Sequence, residues 1–252
     1  MKAIALKLHF IVLITLLTQT LNAQCSGCNL TITVPNNNTY NLTAGQIVCI
    51  IGTGNFTGRL NNFNGNTLCI GTGVNYNPST APNYNGNWTI INHGTFTKTT
   101  NLNFNSGTSF TNAATGTISL GSINIGSSTI FNNYGTLSVT ALTVNSGGSV
   151  TLGGTTNSSG LISNNGSLNI TGALNTVGIT NNSGGAITAS ANIVSTAGIT
   201  NNGTFNSTAN VSATTLTNNS GSNLTINGSL ALTGLLSNSS TMNITGSLTG
   251  IS

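Results

Sequence analysis

The side chains able to do chemistry in this sequence are few: Cys25, Cys28, Cys49, Cys69, His93 and an aromatic group formed by Tyr76, Tyr84 and Trp88. What is missing limits them. The 252 residues contain no Asp and no Glu. Glycoside hydrolysis needs two carboxylates, a Ser-His-Asp triad needs one, and calcium needs hard anionic oxygens. Gly52-x-Gly54 opens no helix and has no acidic ribose partner, so a dinucleotide site is not supported. Cys25-x-x-Cys28 could start a zinc site, but Cys49 and Cys69 do not form a second close pair. The expectation is a protein that is not an enzyme and holds no metal and no cofactor.

The remaining candidates have modest roles. His93 stands in Asn92-His93-Gly94, where other segments read Asn-Asn-Gly, and is a turn residue on that pattern. The segment 75–88 gathers Tyr76, Pro78, Pro82, Tyr84 and Trp88 among Asn and Gly. Exposed rings with neighbouring amides stack on sugars and hydrogen-bond their hydroxyls, whereas buried ones pack against a wall. Tyr76, Tyr84 and Trp88 are therefore the candidate carbohydrate-binding residues. The cations Lys2, Lys7, Arg59 and Lys98 are scattered. Nucleic-acid binding, which needs clustered positive charge, is not expected.

These residues are positioned by an unusual chain. Lys2 and Lys7 precede the apolar run Phe10 to Leu17, and Leu21-Asn22-Ala23 offers a cleavage site, so residues 1–23 read as an export signal. The run is too short to span a bilayer. A secreted or cell-surface location follows, and with it an oxidising environment in which cysteines pair. Charged residues are 2% of the chain, against about 25% in an average soluble protein.

Internal repetition sets the fold class. Ile50, Ile70, Ile90, Phe110 and Ile130 recur at one constant interval. A second phrase recurs at Ile162-Ser163-Asn164, Ile179-Thr180-Asn181, Ile199-Thr200-Asn201, Leu216-Thr217-Asn218 and Leu236-Ser237-Asn238. Its spacings are 17, 20, 17 and 20; short copies turn through Asn-Gly and long ones through Ser-Gly-Gly or Ser-Gly-Ser. The register between Ile130 and Ile162 is left open. Apolar residues alternate with polar ones, as in Leu102-Asn103-Phe104 and Leu224-Thr225-Ile226, the mark of strands with one buried face. The expected fold is all-β: a parallel β-helix, or β-solenoid, with coils of about 17–20 residues. The divisions are the export signal 1–23, an N-terminal cap region 24–48 and repeats over 49–252. About 12 coils stacked at strand spacing make a rod of roughly 55–60 Å. Cys49 and Cys69, one coil apart, are expected to bond, with Cys25 closing on Cys28.

With Val48-Cys49-Ile50, Leu68-Cys69-Ile70 and the Asn-Asn-Gly coils in view, the chain resembles secreted β-helix proteins of the Bacteroidota and, more loosely, filamentous haemagglutinin-like adhesins. The resemblance implies a fold and a surface location and transfers no functional residue. Larger members of the first group carry a C-terminal sorting domain, and none is seen before Ser252. The expected function is a structural or adhesin-like rod. One alternative is a module that binds polysaccharide or cell-surface glycans through the 75–88 loop. Another is ice binding, which requires Thr-x-Thr on one face in every coil; Thr31-Ile32-Thr33 and Thr95-Phe96-Thr97 occur, but no such register persists. The last repeat stops in mid-pattern, so end-to-end self-association or a longer parent chain is also expected.

Overall fold

The computed structural model describes residues 24–61, 64–80, 84–105 and 107–250, so the expected export signal, 1–23, lies outside the described residues. It is a parallel β-solenoid. Strands of the first face pair in eleven successive steps, from Leu30–Asn36 at one end to Thr241–Ile244 at the other, giving twelve rungs. At about 4.8 Å per rung the stack is about 53 Å long. Each full coil adds a second and a third strand, so the rod has three sides.

Face I carries short strands such as Thr67–Ile70, Ser109–Asn112 and Ser167–Ile170. Faces II and III are made by separate strands low in the stack, such as Val74–Tyr76 and Tyr84–Asn85. Higher up, single long strands bend across both, including Thr117–Ile125, Thr136–Val144 and Thr155–Asn164. Period-two alternation sends every second side chain inward. Along Thr117–Ile125 it buries Ile118 and Leu120, and after the bend Ile123 and Ile125. A two-stranded pairing of Thr39–Asn41 with Arg59–Asn61 stands beside the first rungs.

The stack begins at Leu30, whose strand pairs with Ile47–Phe56 as the first rung. The Ile162, Ile179, Ile199, Leu216 and Leu236 phrase lies in one column, as its pattern predicts. The constant-interval column of the lower rungs does not hold throughout. Ile90 pairs with Leu68 and not Ile70, and Phe110 pairs with Phe131 and not Ile130. The coils from Leu68 to Ile90 and from Phe110 to Phe131 are longer than the interval, so a fixed period drifts off the column. Ile130 accordingly turns outward and is 48% exposed. The open register closes as Phe131, Val150 and Leu168 on face I, and Leu142 and Ile162 on face III.

Two kinds of interior fill the rod. In the lower half, Phe56 stacks on Tyr76 at 5.5 Å, Tyr84 on Phe104 at 5.1 Å and Phe110 on Phe131 at 5.0 Å. In the upper half the interior is mainly aliphatic, with one ring, Phe205. Buried asparagines line two corners. Asn92, Asn112 and Asn133 stack at the end of face I, each Nδ2 donating to the next Oδ1 at 2.7 Å. This ladder ends where Asn133 donates to Thr156 Oγ1 at 3.3 Å. A second ladder starts at the end of face III and runs Asn164, Asn181, Asn201, Asn218 and Asn238, every link 2.8 Å. Each amide also knits its own turn to the rung above: Asn181 donates to Gly185 O at 3.2 Å and to Thr204 O at 2.9 Å. Buried amides are tolerable because they are hydrogen-bonded to one another and to backbone.

Candidate functional surface

Alternation dictates where the candidate residues point. Tyr76, Tyr84 and Trp88 occupy inward positions and are 0% exposed. Trp88 meets Tyr84 edge-on at 5.8 Å, and Tyr76 meets Phe96 edge-on at 5.0 Å. Burial pushes the phenol of Tyr84 well above its ordinary pKa and does the same to Tyr76. The Asn- and Pro-rich surroundings suggest a surface loop, yet Tyr76 and Tyr84 sit in the same inward columns as Phe56 and Phe104, and Trp88 packs inside against Tyr84. They offer no face to a sugar ring, which overturns the expectation that this group stacks on carbohydrate.

The cysteines pair differently from their spacing. Cys25 bonds Cys69 and Cys28 bonds Cys49, both with Cα atoms 5.7 Å apart. Cys49 and Cys69 do sit on adjacent rungs in register. Side chains on neighbouring parallel strands point the same way, about 4.8 Å apart, whereas a disulfide wants Cβ atoms at about 3.8 Å. Both sulfurs point out of face I and meet the overlying strap 24–28, whose Cys-x-x-Cys spacing spans one rung. The strap covers these outward positions, leaving Cys49 and Cys69 buried. Gln24 adds a side-chain hydrogen bond accepted from Thr72.

His93 occupies the turn after Asn92, as its pattern predicts. Its N–H donates to Ile70 O at 2.8 Å, and partial burial lowers the imidazole pKa from its ordinary value. Lys98 Nζ donates to Pro78 O at 2.5 Å. Among the described residues no three His, Cys, Asp or Glu side chains gather as metal ligands, and no helix is long and apolar enough to cross a membrane. Two depressions among the described residues combine hydroxyls and amides with a few apolar side chains such as Ile51 and Val139. One of about 280 Å³ lies between Gln24, Thr33, Thr53 and Thr72; another of about 350 Å³ lies over Ser119, Ser138, Asn157 and Ser159.

The most ordered chemistry is on the outside of face I above the strap. One outward column reads Thr111, Asn132, Thr151, Asn169, Thr188, Asn206, Thr225, Asn243, so Thr and Asn alternate over eight rungs. The column two positions earlier on each strand is Ser109, Ile130, Ser149, Ser167, Ala186, Thr204, Asn223 and Thr241. No charge stands in either column. Among the described residues, none of the side chains in the Thr/Asn column hydrogen-bonds to the protein. Elsewhere outward asparagines are tied across rungs, as Asn175 to Asn157 at 3.1 Å and Asn124 to Asn103 at 2.7 Å.

The alternation arises from coil length. From Asn132 upward the column advances by alternately longer and shorter coils: Asn132 to Thr151 is one position longer than Thr151 to Asn169, and the pattern repeats to Asn243. On face III, Ile162 to Ile179 is a short step and Ile179 to Ile199 a long one, again in alternation. Two successive coils have the same total length on both faces, so the true upper unit is a pair of rungs. Long turns carry Gly184 and Gly221 at φ near +80°, which favours glycine. Short turns carry Gly166 and Gly203, where a Cβ would come within 2.4 and 2.3 Å of the carbonyl oxygen one rung below. No family model, no curated protein and no solved structure matches the chain.

Proposed function

We propose that the protein is an exported, non-catalytic rod that serves as a structural or adhesive element at the cell surface. One observation carries the reading: an unbroken twelve-rung stack whose outside, among the described residues, bears only the cations Arg59 and Lys98 and no acid. The scarcity of acid–base groups on such a surface, where His93 stands in a turn without a carboxylate partner, favours the non-catalytic reading. Two disulfides clamping the first rungs fit an oxidising environment. The composition and coil style it shares with secreted bacterial β-helix proteins support the same placement.

The test is fractionation of the producing cells with an antibody to residues 24–252, followed by small-angle scattering of the recovered protein. The reading predicts an oxidised, extracellular or surface-bound species with a rod-like profile. A reduced cytosolic species, or turnover of a defined substrate by the purified protein, would reject it.

A further inference from the structure

We infer that the outer side of face I, from Ser109 to Asn243, binds ice. The inference concerns one side of the rod and stands whether or not the rod is also an adhesin. Parallel rungs repeat about every 4.8 Å, and the two outward columns stand about 6.6 Å apart along each strand. The side is therefore a two-dimensional lattice of hydroxyl, methyl and amide groups; no rung carries the strict Thr-x-Thr pair, and the regular order lies in the alternating Thr/Asn column.

Water ordered as ice has a matching geometry that follows from its bonding. With O–H···O distances of about 2.75 Å and tetrahedral angles, next-nearest oxygens lie about 4.5 Å apart, and the longer axial repeat is about 7.3 Å. The rung spacing misses the first by about 0.3 Å, so several successive rungs stay in step before the error reaches half a bond. Two features of the lattice favour water over other occupants. It is uncharged, so no strongly hydrated ion disrupts an ordered layer, and its Thr/Asn column spends no hydrogen bond on the protein. A crystalline polysaccharide would fit an uncharged side too, but such sites hold the sugar with stacked rings. The rings of Tyr76, Tyr84 and Trp88 are inside the rod, and Tyr134, 49% exposed at the turn after Ile130–Asn133, is a lone ring at the edge of the side with no second ring stacked in register with it.

The other sides lack these features. Face III has Leu161 and Leu235 exposed at 56% and 66% beside Gly178 and Gly198, and face II has Val194 exposed and Asn175 tied to Asn157.

The experiment freezes a dilute solution of the oxidised chain slowly onto a cold surface and measures how much protein enters the ice. It uses the wild type, the double variant Thr151→Lys with Thr188→Lys on face I, and Ser138→Lys with Ser212→Lys on face II. Circular dichroism melts establish that each variant is folded; if the face I lysines unfold the chain, Thr151→Val with Thr188→Val, which keeps the shape and removes the hydroxyls, replaces them. The wild type and the face II variant are expected in the ice and the face I variant in the liquid. Exclusion of the wild type from ice overturns the inference, as does equal behaviour of the two variants. Retention of the wild type on cellulose or chitin suspensions with exclusion from ice reassigns the side to polysaccharide and overturns it as well.

Discussion

The lower half of the rod, up to Phe131, and the upper half, from Val144, fold the same backbone with different interiors. Below, rings stack on rings, coil lengths wander from one rung to the next, and two disulfides bind the first rungs to a strap. Above, the interior is aliphatic, a ladder of five asparagines runs through the corner, and coils alternate in strict pairs. The difference shows two ways to hold a β-solenoid in register. Rings of varied orientation absorb irregular coils because their contacts tolerate both stacked and edge-on geometry. An asparagine ladder fixes only the corner, because each amide must meet the next at hydrogen-bond distance on every rung while the turn between them varies, as it does in both ladders. Paired coils belong to the upper half, which also holds most of the outer Thr/Asn column, although that column begins lower down at Thr111.

Breaking the lower interior should have the largest effect. Phe104 packs on Tyr84, Phe110 and Phe131, so Phe104→Ala should destabilise by about 3–5 kcal/mol in urea unfolding. Next comes the strap. Cys28→Ser with Cys49→Ser should cost about 2–4 kcal/mol. Because stacked repeats contact only their neighbours, hydrogen exchange should rise between Leu30 and Ile70 and stay unchanged above Val144; uniform loss along the rod would refute the two-halves picture.

In the upper half, Asn201→Ala removes one ladder member, so Asn181 Nδ2 loses its ladder acceptor and keeps only the carbonyls of Gly185 and Thr204, and Asn218 Oδ1 keeps only the Ser222 hydroxyl as donor. A loss of about 1–3 kcal/mol is expected, with exchange rising at Gly185, Gly203 and their neighbours.

The smallest effect concerns pH and falls in the lower half. Acid unfolding usually works through carboxylates, and this chain has no carboxylate side chain. His93 has a folded pKa below its unfolded value of 6.5, so the unfolded chain binds its proton first. Its contribution is present above that value and is lost as pH falls through the folded pKa. From the acid side up to about pH 9, below the range where tyrosines ionise, thermal melts should be nearly flat apart from one shallow decline on the acid side of 6.5, and His93→Asn should remove the decline.

Much of the fold was legible because stacking demands equivalence: positions that lie above one another repeat in type, and the Ile162-to-Leu236 phrase could be read directly as a column. The lower column was misread at Ile70 and Ile130 because a constant period cannot register a coil with one or two extra positions in its turn. The same blindness hid the Thr/Asn lattice, whose members are separated by unequal steps in alternation. The disulfides were mispaired because one-coil spacing fixes which cysteines are neighbours, but not that neighbours in a parallel sheet point side by side. Tyr76, Tyr84 and Trp88 looked exposed from the Asn and Pro around them. The signal that placed Tyr76 inside was present in Val74-Asn75-Tyr76, an apolar–polar–apolar triplet like any other strand here.

The pairing of rungs into one repeating unit makes the upper half a cassette. Thr151, Thr188 and Thr225 begin successive copies. Excising 188–224 would bring Thr225 to the place of Thr188, with every corner, ladder and lattice position still opposite its own kind. The rod would shorten by two rungs, about 10 Å, and keep its chemistry. Excising a single coil would set Thr upon Thr or Asn upon Asn and join mismatched turns. Gain and loss of whole cassettes is thus a route by which this molecule can change its reach in fixed increments without having to be redesigned.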